Sequence, residues 1–300
     1  MSVVFLGTSS GQPTTVRGLS CVSLTRRGEI FLFDCGEGSQ TQFRRAGLRF
    51  GRVAGIFITH MHGDHVTGLP GLLMSLQVTG RTEPLRMIGP RNLEAYIASS
   101  LRYLESGLGF PLHITEHDTA ETVLSTDDYT VRVEPLEHRI PAIGYRFEER
   151  DAPGPFDVAE AVRRGVTDSR LYGVLQRGND IVLDDGTMVR ARDVVGTSRR
   201  GKRFAYCTDT RPCEASARLG HEVDFMVHEA TFGDDRAASA AVSGHSTASQ
   251  AAQVGAAARA RRLVLTHFSP RYDDLEVLLA EARPHFATVE AARELEPMML

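Results

Sequence analysis

Residues 59–65 read Thr59-His60-Met61-His62-Gly63-Asp64-His65, which places three imidazoles and a carboxylate within six residues, directly after the apolar run Gly55-Ile56-Phe57-Ile58. The run predicts a strand that delivers a tight loop. A single catalytic zinc takes three protein ligands and keeps one position for water. Four candidate ligands in one loop therefore predict two metals sharing a site, an arrangement suited to displacement at phosphorus. Each ion needs further ligands from distant segments, so the fold must bring later strand ends to this loop.

Such a fold needs a large core, and 42% hydrophobic against 24% charged residues permits one. No apolar run approaches the roughly 18–20 residues that span a bilayer. Met1-Ser2-Val3-Val4-Phe5 shows no basic segment ahead of its apolar stretch, so a cytoplasmic protein is expected. Cys21, Cys35, Cys207 and Cys213 form no C-x-x-C pair and read as reduced, mostly buried residues.

Short β-branched and aromatic runs separated by Gly and Pro predict strands at 3–6, 20–25, 30–34, 55–59, 85–88, 130–136 and 143–147, and later at 203–208, 225–229 and 263–266. Amphipathic segments predict helices at 39–46, 69–77, 92–105, 247–261 and 275–283, with Ser246 or Thr247 placed to cap the fourth. This order fits an α/β protein in which two sheets pack face to face with helices outside. One domain spanning 1–300 is expected, interrupted by an insert at about 148–190 that holds a helix-like 156–164 and a hairpin turn at Asp184-Asp185-Gly186. Net charge is −4, yet residues 163–203 hold ten Lys/Arg against five Asp/Glu. A basic module on an acidic body permits contact with nucleic acid, whose affinity follows local phosphate neutralisation rather than net charge.

The H-x-H-x-D-H loop is that of the metallo-β-lactamase superfamily. Further segments narrow it: Phe5-Leu6-Gly7-Thr8, Phe33-Asp34-Cys35-Gly36-Glu37-Gly38, Gly68-Leu69-Pro70-Gly71-Leu72, His228-Glu229-Ala230-Thr231, Gly244-His245-Ser246-Thr247 and Leu265-Thr266-His267. Together they resemble the ribonuclease Z family, from about residue 3 to about residue 290. The resemblance implies a four-layer αββα sandwich, two Zn²⁺ per subunit, removal of the 3′ trailer from precursor tRNA, a homodimer, and an insert that is a flexible arm gripping tRNA. Two departures stand out. Leu171-Tyr172-Gly173 lacks the family's preceding Gly-Pro pair, and Pro13-Thr14-Thr15-Val16-Arg17-Gly18 matches a P-x-K-x-R-N loop only at Pro13 and Arg17.

Candidate ligands follow from where predicted strands end. His138, Asp209 and His267 each stand where a strand gives way to a loop, a usual station for catalytic groups, although capping of the local loop is the ordinary alternative for each. We assign His60, His62 and His138 to one zinc and Asp64, His65 and His267 to the other, with Asp209 bridging through its two oxygens. The resemblance gives Asp64 the further role of accepting the water's proton. His245, in a Gly-flanked loop and not needed as a ligand, is the expected proton donor to the leaving oxygen, and Glu229 is expected to hold its tautomer. His113, His117, His221 and His285 show no partner pattern and read as surface or turn residues. The competing reading is a small-molecule metallo-hydrolase, whether phosphodiesterase, thioesterase or arylsulfatase. It needs the same metals and no arm. A third, non-enzymatic reading is an RNA-binding or redox protein that merely retains the metals.

Overall fold

Most of the expected apolar runs become strands buried on both faces. A computed structural model describes Met1–Leu300. In chain order the first sheet takes β1 (Ser2–Gly7), β2 (Cys21–Arg26), β3 (Glu29–Phe33), β4 (Val53–Phe57), β5 (Leu85–Gly89) and β6 (Leu112–Glu116). The second begins with β7 (Glu121–Ser125), β8 (Tyr129–Leu136) and β9 (Ala142–Glu149). After a hairpin of β10 (Ile181–Val182) and β11 (Met188–Val189) it resumes with β12 (Arg203–Cys207), β13 (Phe225–Glu229), β14 (Leu263–Thr266) and β15 (Glu290–Ala291). The last strand, β16 (Pro297–Met299), returns to the first sheet. The two seven-stranded orders are β16-β1-β2-β3-β4-β5-β6 and β15-β14-β13-β12-β9-β8-β7. β3 to β6 run parallel, as do β12 to β15.

β3 shows how one strand serves two layers, because successive side chains point to opposite faces. Ile30 and Leu32 join the cluster beneath the helices α1 (Ser39–Arg45), α3 (Leu69–Val78) and α4 (Leu93–Tyr103), contributed by Phe43, Leu72, Leu76 and Ile97. Phe31 and Phe33 face the other sheet. There Phe33 lies 5.1 Å from Phe204, 5.5 Å from Tyr206 and 5.8 Å from Tyr145, while Phe31 lies 5.1 Å from Phe147. Each such aromatic pair contributes about 0.5–1.5 kcal/mol beyond its buried area. Tyr145 also donates its hydroxyl to the carbonyl of Ile58 at 2.6 Å, pinning the second sheet to the exit of β4. On the far side α7 (Glu214–Leu219) packs on β12, α8 (Ala237–Ser243) leads to α9 (Ala248–Ala257), which packs on β13 and β14, and α10 (Glu276–Ala282) packs on α9. The result is the metallo-β-lactamase αββα sandwich.

Thr247 caps α9 through a capping box with Gln250. The helix stops at Ala257, short of the expected 261, because Arg259 turns left-handed at φ 52° and Arg261 N–H already bonds to Val223 O on the way into β14. β6 and β7 carried no strand expectation. Both end their sheets and are largely exposed, so neither shows an apolar run or clean alternation.

Glu148–Lys202 and Asp127–Tyr129 form a second compact unit with its own core. Ala161 and Val166, in and just after α5 (Val158–Arg163), pack with Leu175 of α6 (Tyr172–Gln176) and with Val189, Ala191 and Val194. Asp157 caps α5 by accepting from Glu160 N–H. The turn between β10 and β11 needs Gly186 at φ 85°. No helix in the chain is long and apolar enough to cross a membrane.

Candidate active site

Parallel strands leave their sheets at one end, and there the site residues gather. Asp34 follows β3, the His60–His65 loop follows β4, Asp209 follows β12, Glu229 closes β13 and His267 follows β14. Three of these bend sharply as they leave: Asp34 has φ 59°, Asp209 φ 52° and His267 φ 59°. Left-handed backbone costs a non-glycine residue about 1–2 kcal/mol. Three such residues at one site are stored strain of the kind found at functional centres. Glycine solves a different problem nearby. A Cβ at Gly36 would sit 2.3 Å from Asp64 O, and one at Gly68 would sit 2.1 Å from Gly36 O. That close approach lets Cys35 N–H bond to His65 O at 2.8 Å and fixes the short helix α2 (Gly63–Val66), which presents Asp64 and His65.

Two groups of ligand atoms converge. His60 Nε2 lies 3.0 Å from His62 Nδ1, which lies 3.2 Å from His138 Nε2. Asp209 Oδ2 is 3.4 Å from His60 Nε2 and 3.8 Å from His138 Nε2. In the second group His65 Nε2 and His267 Nε2 are 3.3 Å apart, and each is 3.5 Å from Asp64 Oδ2. Asp209 Oδ1 is 3.3 Å from His65 Nε2 and 3.1 Å from His267 Nε2. The two oxygens of Asp209 thus face different groups.

The opposite ring nitrogens decide what those facing atoms carry. His65 Nδ1 donates to Asp34 Oδ2 at 2.8 Å, and His138 Nδ1 donates to Gly244 O at 2.7 Å. Thr59 Oγ1 donates to Asp34 at 2.9 Å and accepts from His60 Nδ1 at 3.0 Å. Thr231 Oγ1 donates to Glu229 Oε2 at 2.6 Å and accepts from His267 Nδ1 at 3.0 Å. A neutral imidazole has one N–H, so Nε2 of His60, His65, His138 and His267 presents a lone pair. Lone pairs facing one another near 3 Å need a cation between them, and their hydrogen-bonded far sides are how metal-binding histidines are held. The groups His60–His62–His138–Asp209 and Asp64–His65–His267 could each hold a metal ion.

Protonation agrees with this donor set at His60, His62, His138, Asp209 and Asp64. Burial, helped by His65, keeps His60 well below its usual pKa, and burial lowers His62 and His138. Burial opposes charge on Asp209, but His267, His65 and His60 hold its carboxyl well below the carboxylate range. Asp64 is likewise held low, against burial, by the neighbouring imidazoles of His267 and His65. His65 goes the other way: burial disfavours its charge, but Asp209 and Asp34 flank it and raise it.

His245 stands beside these groups with its Nδ1 2.8 Å from Glu229 Oε1 and 4.0 Å from Asp209 Oδ2. Burial works to lower its pKa, but the Glu229 carboxylate raises it to about 9. Glu229 is fully buried and also accepts from Thr210 N–H and Thr231 N–H. A cleft of about 290 Å³ opens over Asp64, Asp209, His245 and His267. A larger cavity of about 1020 Å³, lined by Arg190 and Arg192, lies within the insert. No cluster residue lines it, so size does not locate the chemistry.

All nine sequence-derived residues meet in this one place: His60, His62, Asp64, His65, His138, Asp209, Glu229, His245 and His267. His113, His221 and His285 are exposed, and His117 is half-buried and paired with Glu121. Sequence reasoning missed Asp34, Thr59, Tyr206 and Thr231. Asp34 accepts from Thr59 N–H, Thr59 Oγ1, His65 Nδ1 and Tyr206 OH, and is wholly buried. An aspartate closing an apolar strand was the available signal.

Residues 1–109 match the family described as Anti-Pycsar protein Apyc1, and residues 174–268 match the beta-lactamase superfamily domain. Against the ribonuclease Z of Acaryochloris marina the chain is 44% identical over 299 residues, covering 97% of this chain and 95% of that relative. The chain belongs to the ribonuclease Z family. A ribonuclease Z of Salinibacter ruber is also 44% identical, over 98% of this chain and 93% of the relative. The crystal structure of human tRNase Z, short form, superposes with a TM-score of 0.73 at 28% identity, covering 100% of this chain and 99% of that one. Ribonuclease Z proteins are tRNA 3′-processing endoribonucleases on this fold, and the chain is a hydrolase of that kind.

Proposed function

We propose that the chain removes the 3′ trailer of precursor tRNA by zinc-dependent hydrolysis, leaving a 3′-hydroxyl on the tRNA and a 5′-phosphate on the trailer. The observation that carries this reading is the division of Asp209, whose Oδ2 faces His60 and His138 while its Oδ1 faces His65 and His267. His60, His62 and His138 would hold one zinc, Asp64, His65 and His267 a second, and Asp209 both. Bound there, two zinc ions supply an acidified water for attack and positive charge against the phosphoryl oxygens.

The remaining work falls to side chains. Asp64 takes the proton of the attacking water, and its Oδ2 is steadied by Gly11 N–H at 2.7 Å. Water oxygen bonds to phosphorus and stays with the trailer as the P–O3′ bond breaks. His245, holding its proton at neutral pH, gives it to the departing 3′ oxygen, because an alkoxide leaves poorly without one. Its Nδ1 is bound to Glu229, which leaves Nε2 to donate. Glu229 thereby fixes the tautomer. The basic excess of residues 163–203 suits the insert to a polyanion, and the reading keeps the homodimer implied by resemblance.

The test is incubation of the protein with a trailer-bearing precursor tRNA beside bis(p-nitrophenyl) phosphate, with end-group analysis of the products and elemental analysis of the protein. Trailer release with the stated ends and about two zinc per chain is expected. Hydrolysis of the small ester alone would replace this reading with the small-molecule one.

A further inference from the structure

The cleft contains one arginine or lysine that the chemistry above does not use. Arg139 lines it together with His62, Asp64, Asp209 and His245. Its side chain is exposed, and no carboxylate or carbonyl of the chain takes its guanidinium. The cleft's carboxylates are not its counter-ions. Asp209 is turned to His60, His65 and His267, and Asp64 is turned to His65, His267 and Gly11 N–H. The guanidinium also lies within electrostatic reach of both His62 and His245.

Its backbone lies close against the loop that carries the proton donor. Gly244 has φ 78°, and a Cβ there would lie 2.9 Å from His138 Nδ1 and 3.2 Å from Arg139 N. His138 Nδ1 bonds to Gly244 O at 2.7 Å, and the rings of His138 and His245 lie 5.0 Å apart. This meeting of two loops therefore sets a ligand candidate, the proton donor and Arg139 side by side. A guanidinium offers five N–H donors in a planar fork that fits two phosphoryl oxygens at once. An unpaired fork at the mouth of a cleft floored by ionised carboxylates is complementary to an anion brought in from outside.

We propose that Arg139 is a catalytic residue that grips the non-bridging oxygens of the scissile phosphate and neutralises charge as it builds in the transition state. This rests on the phosphodiesterase reading above. It adds a phosphate ligand supplied by the chain itself, near the departing oxygen that His245 serves.

Arg139→Ala and Arg139→Lys are compared with the wild-type holoenzyme on precursor tRNA and on bis(p-nitrophenyl) phosphate, which has a single phosphate. The alanine variant should lose about 10²–10³-fold in kcat/KM on both substrates, as removal of one charge-stabilising donor does elsewhere, with its metal content unchanged. Lysine should recover part of the loss through charge without the fork, and added guanidinium ion should restore part of the activity of Arg139→Ala alone. A purely structural role would show neither recovery. Wild-type rates on the small ester would overturn the grip on the scissile phosphate, even with slower RNA cleavage. Metal loss in both variants would overturn it by making Arg139 a support for His138. A wild-type enzyme inactive on both esters would remove the phosphodiesterase reading and the clamp with it. An active wild type with an unaffected alanine variant removes the clamp alone.

Discussion

The histidine–aspartate centre and the insert carry charge in opposite ways. At the centre Asp34, Asp209 and Glu229 are buried, and their oxygens meet named partners from other segments of the chain. In the insert Arg163 and Arg164 share Glu160, and Arg170 pairs with Asp168, all near the surface. Exposed pairs of that kind contribute little to stability. The guanidinium groups of Arg177, Arg190 and Arg199 have no partner in the chain. Buried charge must be placed to a fraction of an ångström, because an unpaired group there is costly. Exposed charge tolerates motion and stays free for an outside polyanion. One region fixes its charges by geometry, and the other leaves several of them free at its surface.

The comparison breaks first at Asp209. Asp209→Ala should lose metal from both groups and bring cleavage of either substrate to background, and full metal content in that variant would remove Asp209 from the bridge. His245→Ala should retain metal and lose about 10²–10⁴-fold on RNA, with a smaller loss on a nitrophenyl ester whose leaving group needs no proton. An equal loss on both esters would assign His245 another task. The sign of its pH dependence follows from Glu229. A general acid works while protonated, so the rate should fall as pH rises through about 9, and Glu229→Gln should move that limb to lower pH. A limb unmoved by Glu229→Gln would separate the two residues.

Deleting residues 156–185 tests the other side. Precursor tRNA cleavage should fall by roughly 10²-fold or more while the small ester is hydrolysed at the wild-type rate, since only positioning is lost. Intact tRNA cleavage would mean that the insert is not the RNA grip, and that its missing Gly-Pro pair marks another substrate. Asp34→Ala should cost about 10–100-fold in metal affinity through the loosened ring of His65. The smallest effect belongs to Arg177→Ala or Arg190→Ala, each expected to reduce the slope of log affinity against log salt by about one for each phosphate no longer neutralised. Titrations at several salt concentrations measure it.

Much of the centre was legible in the chain. His60, His62, Asp64 and His65 announce themselves by spacing, and His138, Asp209 and His267 by standing at strand exits. The core strands were legible too, because burial on both faces makes each an apolar run. Edge strands β6 and β7 were not, since their burial is partial and their sequences mixed. Asp34 and Thr231 were hidden for a different reason. Nothing in Phe33-Asp34-Cys35 states that its carboxylate will receive an imidazole from residue 65 and a phenol from residue 206.

Residue types and local order thus determined the ligand inventory, the layered α/β class and the capped helix after Thr247. Tertiary structure alone decided which oxygen of Asp209 faces which histidines, which nitrogen of each ring carries its proton, and that Arg139 stands unpaired beside His245. The reason is range: spacing and periodicity are set within a few bonds, whereas tautomer and charge pairing depend on atoms from strands far apart in the chain. Those atoms take their places only when the two sheets close on Phe31, Phe33, Tyr145 and Tyr206.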